Sequence, residues 1–290
     1  MQLVAAKFDI AGRLRRFMDR QKNLALFLGR TPFHGVARVL WRKLSRYMDV
    51  AENWNNGDEA TNGEAFLLRR VAPNLRLAFD IGANLGNWTS LLIAENPHCE
   101  VHAFEASPLT FANLQQRLGA QTQVHLHSAG MGERPGTLAF HDHGENSGLS
   151  SFVSRESSVG QKAGRIIDVP VTTVDAFCAE NRIEQIDFIK VDTEGYEMAV
   201  LRGMTTMLER RRIALVQFEY GGTWIDMRET LARANDFLAH HRYEFYRVRQ
   251  QGLERFHYDC WVHECFKYAN FVAVESGDVL RRWQIPIVES

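Results

Sequence analysis

Hydrophobic and polar residues alternate along this chain in two rhythms. Before residue 50 the apolar positions fall at three- and four-residue steps, first Ile10, Leu14, Phe17, Leu24 and Leu28, then Val36, Val39, Leu40, Leu44 and Tyr47. That spacing predicts two amphipathic helices. They are interrupted at Thr31-Pro32, because proline is tolerated at the start of a helix and not inside one. Asn53 to Gly63 is polar, holds Gly57 and Gly63, and reads as a linker. Residues 1–70 are therefore expected to form a helical extension, with the main domain at residues 71–290.

From Leu77 the rhythm changes. Short apolar runs predict strands from Leu77 into Asp80 and at Glu100–Glu105, Val124–Ser128, Ile186–Val191, Ile213–Glu219, Tyr243–Arg249 and Asn270–Val274. Between them, helical patterns run over Trp88–Glu95, Leu109–Leu118, Val174–Asn181, Met198–Leu208 and Asp226–His240. This alternation predicts an α/β fold with a parallel sheet and crossover helices. In the third strand Val124 and Leu126 alternate with His125 and His127, which reads as one less buried face with surface histidines rather than ligands. Residues 130–170 break the rhythm with Gly144, Ser147, Gly148, Ser150 and Ser151 among many Ser and Gly. So long a loop in a compact domain is functional or disordered. Its place after the third strand suggests a lid-like insertion, bracketed by short strands at Thr137–Phe140 and Val169–Thr172.

Composition adds little until it is divided. With 290 residues and 45% hydrophobic content the chain can bury one good core. The formal net charge is −1, yet residues 1–50 hold eleven Lys or Arg against three Asp, a net +8 that leaves −9 for the remainder. The basic helices suit a solvated face, an anionic membrane surface, an acidic protein partner or a transit segment. The acidic remainder disfavours a nucleic-acid backbone as partner. No apolar run is long enough to span a bilayer. The four cysteines are irregularly spaced, so a reducing, cytoplasmic setting is expected.

The candidate chemistry gathers at strand ends. Asp80, Gly82, Asn84 and Gly86 form a D-x-G-x-N-x-G turn between the first strand and its helix. The glycines allow close approach of a ligand to backbone. Their spacing differs from the G-x-G-x-x-G of dinucleotide sites, and Asp80 would repel a pyrophosphate while welcoming an ammonium. The turn resembles motif I of class I S-adenosylmethionine-dependent methyltransferases. Glu105, about twenty residues on and at the end of the second strand, suits a ribose. Lys190-Val191-Asp192-Thr193-Glu194-Gly195-Tyr196-Glu197 then crowds three acids at another strand end, where they bind a cation, hold a substrate hydroxyl or cap the next helix.

Together, Phe79 to Gly86, Ala103 to Pro108, Val171 to Asp175 and Ile186 to Glu197 resemble the FkbM-type methyltransferases, as do Val200-Leu201-x-Gly203 and Glu219. The resemblance covers about residues 75–220; Ala106 replaces a proline common in the family. It implies a Rossmann-like class I methyltransferase fold, a seven-stranded mostly parallel sheet with flanking helices. It also implies S-adenosylmethionine as donor and O-methylation of a sugar, glycolipid, polysaccharide or natural-product hydroxyl. The cofactor would meet Asp80, Gly82, Asn84, Gly86, Glu105 and Ser107. Asp192 is the first candidate for the base and Glu194 the second, and a divalent cation at Asp192 and Glu219 is the alternative.

Two further groups carry weaker signals. His257-x-x-Cys260-x-x-His263-x-Cys265 has zinc-type ligands at a spacing that matches no common structural site. His141-Asp142-His143 opens the insertion and reads first as a solvated turn, second as a base. The rival functions are a nicotinamide oxidoreductase, methylation of a nucleic-acid base, and a scaffold that keeps the fold without catalysis.

Overall fold

The computed structural model describes residues 34–144, 147–155 and 164–289. The helix expected around Ile10 to Leu28 lies outside them, as does part of the Ser/Gly-rich insertion. The chain divides into two compact units, Met1–Glu52 and Asn53–Ser290. In the first, the second expected helix is present as α1 (His34–Ala51). It keeps Val36, Leu40, Trp41, Leu44 and Tyr47 exposed. Among the described residues no helix is long and apolar enough to cross a membrane.

The second unit is built on two sheets. Its strands are β1 (Leu77–Ile81), β2 (Glu100–Phe104), β3 (Val124–His127), β4 (Gly130–Met131), β5 (Gly136–Asp142), β6 (Arg165–Thr172), β7 (Ile186–Val191), β8 (Ile213–Tyr220), β9 (Glu244–Arg249), β10 (Gly252–Arg255), β11 (Ala269–Val274) and β12 (Ile287–Val288). The large sheet runs β12-β10-β9-β11-β8-β7-β1-β2-β3. Strands β3 to β8 in that order are parallel, and β11 is antiparallel to both β8 and β9. The seven expected strands are all in it, but the sheet has nine. Strand β9 turns straight back into β10 as an antiparallel pair, and β12 adds beside β10.

Both faces of the parallel part are covered, which is why its strands read as continuous apolar runs. All six residues of β7 are buried. Phe79, Ile81, Phe104, Ile189 and Phe218 fill one face, while Ala78, Val101, Ala103, Phe188 and Leu215 fill the other. The chain leaves β1 towards β2 on one side and towards β7 on the other. Such a reversal of strand order opens a crevice beyond the strand carboxyl ends.

Several elements differ from the sequence reading. Asn53 to Gly63 is no linker: Trp54 is buried with the Arg247 guanidinium 3.7 Å over its ring, and the Asn53 side-chain amide donates to the Val248 carbonyl at 3.0 Å. Helix α2 (Glu64–Val71) follows with Leu67, Leu68 and Val71 buried, so the compact unit begins at Asn53. The insertion is less loop-like than its composition, since β5 and β6 form a hairpin that β4 extends into a three-stranded sheet. The helix expected over Met198–Leu208 is two, Glu197–Arg202 and Thr205–Glu209. Its break at Gly203 brings backbone so near the Gly132 carbonyl that a Cβ would lie 2.0 Å from that oxygen. The helix expected from Asp226 starts at Leu231, where the Thr230 hydroxyl caps it.

Candidate functional site

The crevice at the ends of β1, β2 and β7 holds a cleft of about 640 Å³ including its open mouth. Its wall includes Gly82, Asn84, Glu105, Asp192 and Glu194, five of the residues singled out in the sequence, and Ser147, Gly148 and Phe152 from the insertion. Asp80, Gly86 and Ser107 stand behind that wall instead. Asp80 is fully buried and accepts a 2.6 Å hydrogen bond from the Thr89 hydroxyl, leaving its other oxygen without a partner. Ser107 caps the helix Pro108–Leu118 by accepting from the Thr110 amide.

The two glycines serve backbone geometry. Gly82 has φ 82°, and a Cβ there would lie 1.8 Å from the Asp192 carbonyl oxygen. It therefore allows the end of β1 to press against the end of β7. Gly86, at φ 73°, lets Leu114 and Leu118 pack onto the turn. Between them Asn84 takes a left-handed conformation, φ 48°, which Asn tolerates better than most residues. The Asn84 and Ser107 amides each donate at 2.8 Å to a different oxygen of Glu105, fixing that carboxylate at the end of β2.

The acids after β7 separate into different tasks. Glu197 is buried and accepts hydrogen bonds from the Thr193 and Gly195 amides, stapling the turn that Gly195 permits. Glu194 turns away from that helix, with φ 56°, and pairs with Arg155 of the insertion at 2.9 Å. Asp192 pairs with Lys190 at 3.0 Å. Glu219 reaches Asp192 from β8 by a side-chain hydrogen bond; burial, and next the Asp192 charge, hold it well above the ordinary carboxylate range. Asp192 thus stands between the Lys190 ammonium and the buried carboxyl of Glu219, the other acid considered from sequence for a divalent cation.

The sequence motif assigns Lys190 no task, although a lysine inside an apolar strand is itself a signal that buried partners exist. Its ammonium is buried, 3.0 Å from Asp192 and 3.8 Å from Glu64 of α2. Burial would pull it down, but Asp192, Glu64 and Asp80 outweigh that and hold it well above its ordinary value. Glu64, which sequence placed in the extension, also accepts from Gln217 at 3.0 Å. The two weaker groups stay outside the cleft wall. Cys260 is exposed at the start of one helical turn, Cys260–His263, and Asp142 pairs with Arg165 at 2.7 Å.

These buried carboxyls set a pH dependence of folding. Burial pushes Glu64, Glu105 and Glu197 up to about 7, and burial with Asp192 nearby pushes Glu194 up to about 8. Burial also lowers His102 and His127 to about 4. Between the ordinary carboxyl and histidine values, 4.5 and 6.5, the two effects oppose. Above about 6.5 only the carboxyls matter, and there the native state holds protons the unfolded chain has lost. Stability is therefore expected to fall as pH rises from about 6.5 to about 8. Urea unfolding across that range checks it; constant or rising stability would contradict the burial of these groups.

Comparison with known proteins adds a family. The sequence matches the Methyltransferase FkbM domain over residues 80–245. It is 26% identical over 148 residues to Methyltransferase 1 of Beauveria bassiana, covering 46% of this chain and 59% of that protein. It is 23% identical over 163 residues to the 2-O-methyltransferase NoeI of Sinorhizobium fredii, covering 52% and 65%. The hexuronic acid methyltransferase AglP of Haloferax volcanii is 25% identical over 189 residues, covering 64% and 74%. The chain thus spans less than two thirds of the first two relatives. A solved FkbM methyltransferase from Methylobacillus flagellatus KT superposes with TM-score 0.44 at 16% identity, covering 69% of this chain and 44% of that one. With the matched domain reaching from the β1 turn through β7 and β8 into β9, this chain belongs to the FkbM methyltransferase family.

Proposed function

We propose that this protein transfers a methyl group from S-adenosylmethionine to a hydroxyl of a sugar, in a glycan, glycolipid or natural product. The observation that carries the reading is the place of Glu105 in the wall of the cleft, fixed there by the Asn84 and Ser107 amides. Among the described residues that line it are Glu105, Asp192 and Glu194, and no Lys or Arg. A pyrophosphate-linked dinucleotide finds no cation in that wall, whereas the ammonium of a sulfonium nucleoside finds carboxyl acceptors. Each oxygen of a carboxylate has two lone pairs. The Asn84 and Ser107 amides each hold one oxygen of Glu105, which leaves the carboxylate lone pairs for the hydroxyls of a ribose.

When bound, S-adenosylmethionine would supply an electrophilic methyl group. The chain's part is to align the acceptor oxygen, exclude water and take a proton. Glu194 is better placed for the proton than Asp192, because burial and the neighbouring Asp192 charge raise its basicity. Asp192 is tied to Lys190 and Glu219, so it holds the strand end and sets the field around Glu194. The sugar acceptor is supported by two relatives, one named a 2-O-methyltransferase and the other a hexuronic acid methyltransferase.

Calorimetric titration with S-adenosylhomocysteine and with NAD is the first test, and only the former is expected to bind. Incubation with methyl-labelled S-adenosylmethionine and a panel of neutral and uronic-acid glycosides is the second. Label in an alkali-stable ether on a sugar oxygen is expected. Binding of NAD alone, or label on nitrogen, would overturn the reading.

A further inference from the structure

Away from the cleft, β2 and β3 bring together a set of ligand atoms that the proposed reaction does not use. The parallel register pairs His102 with His125. Glu100, two residues before His102, projects from the same face of the sheet. Its Oε1 lies 3.3 Å from His102 Nε2 and 3.1 Å from His125 Nε2. The three ligand atoms all fall within 4.8 Å of one another. A tetrahedral zinc ion with bonds of about 2.0–2.1 Å has ligand-to-ligand edges of roughly 3.3 Å. That is the spacing Glu100 already keeps to both imidazoles. We propose that Glu100, His102 and His125 form a zinc-binding site, with a solvent molecule as the fourth ligand.

The surroundings are those of a supported ligand set. His102 is 8% exposed, stacked between the rings of His125 and His127 and met edge-on by Phe177. Its Nδ1 lies 3.0 Å from His127 Nε2. Metal-bound histidines are held by such a second hydrogen bond from the other ring nitrogen, which fixes tautomer and orientation. With zinc on Nε2, the His102 proton sits on Nδ1 and is donated to His127 Nε2. Without metal, Nε2–H donates to Glu100 and His127 donates to Nδ1. Metal entry therefore moves one proton across each ring and releases none from them. The exposed Glu100 and His125 give the ion a way in.

The site would rivet an edge. Among the described residues, strand β3 is the last strand of the large sheet on that side and pairs with β2 alone. The His127 carbonyl accepts the Glu105 amide at 3.0 Å, so a zinc bridge would steady the strand end that presents Glu105. Sequence alone read His125 and His127 as surface groups, because the alternation within β3 says nothing of what β2 sets opposite.

The test uses the full, untagged chain equilibrated with zinc, freed of excess and measured by elemental mass spectrometry. About one zinc per chain and a raised melting temperature are expected. His125→Ala and Glu100→Gln change exposed positions, so their metal-free melting temperatures should match the parent. Each should weaken zinc binding by about tenfold or more. Cobalt in place of zinc should give the visible bands of a four-coordinate site without a thiolate charge-transfer band. Three results would overturn the proposal: no zinc retained, equal zinc affinity in His125→Ala and the parent, or a thiolate band, which would put the metal at Cys260 or Cys265.

Discussion

Exchanging the buried lysine for an uncharged side chain of similar length, Lys190→Met, is expected to destabilise the protein by about 3–5 kcal/mol near pH 8. The ammonium stands among Asp192, Glu64 and Asp80, and it lies near 8% side-chain exposure. Methionine fills the same space without a charge, so the loss reports carboxylates left unpaired in the interior rather than a cavity. The pH dependence separates the two causes. Glu64 takes up a proton below about 7, and a neutral carboxyl needs no cation. The cost should therefore shrink when urea unfolding is repeated near pH 5.5. A loss below about 1 kcal/mol, within the range of an ordinary surface change, or one that does not vary with pH, would show that Lys190 does not balance these acids.

How far the sequence reaches depends on the distance over which a residue's role is decided. Strand Ile186–Val191 and helix Val174–Asn181 fall where the pattern puts them. The strand is buried on both faces, and the helix is opened by Thr173 and closed by Arg182 in the left-handed region. These are local matters. The turn from Asp80 to Gly86 was legible as a motif, but its glycines were read as room for a ligand. The structure spends Gly82 on the Asp192 carbonyl and Gly86 on Leu114 and Leu118, and a glycine looks the same in either service. Glu64 was out of reach because its partners Gln217 and Asn270 lie 153 and 206 residues away. The Glu194–Arg155 pair crosses from the insertion to β7, a contact no periodicity encodes. The small sheet of β4, β5 and β6 was hidden by Ser and Gly that suggested a bare loop, although its bracketing strands were found.

The two acids beyond β7 should divide catalysis in a way that rate measurements can resolve. If Glu194 accepts the acceptor's proton, turnover must rise with pH as it ionises, with an inflection at about 8. Glu194→Gln should remove that inflection and lower turnover by roughly 10²–10⁴-fold, the usual worth of a positioned base. Asp192→Asn acts differently. It strips a negative charge from beside Glu194, whose carboxyl that charge helps to raise, and it loosens the pair with Lys190. Turnover should fall on the order of 10²-fold on the alkaline plateau, and the remaining inflection should move below 8. Neither side chain holds Glu105, which is fixed by the Asn84 and Ser107 amides, so calorimetric affinity for S-adenosylhomocysteine should be nearly unchanged in both variants. A pH profile that keeps its inflection in Glu194→Gln but loses it in Asp192→Asn would reverse the assignment and make Asp192 the base. Full turnover in both would remove this strand end from the chemistry, because no other carboxylate after β7 faces the cleft: Glu197 is closed within its own turn by the Thr193 and Gly195 amides.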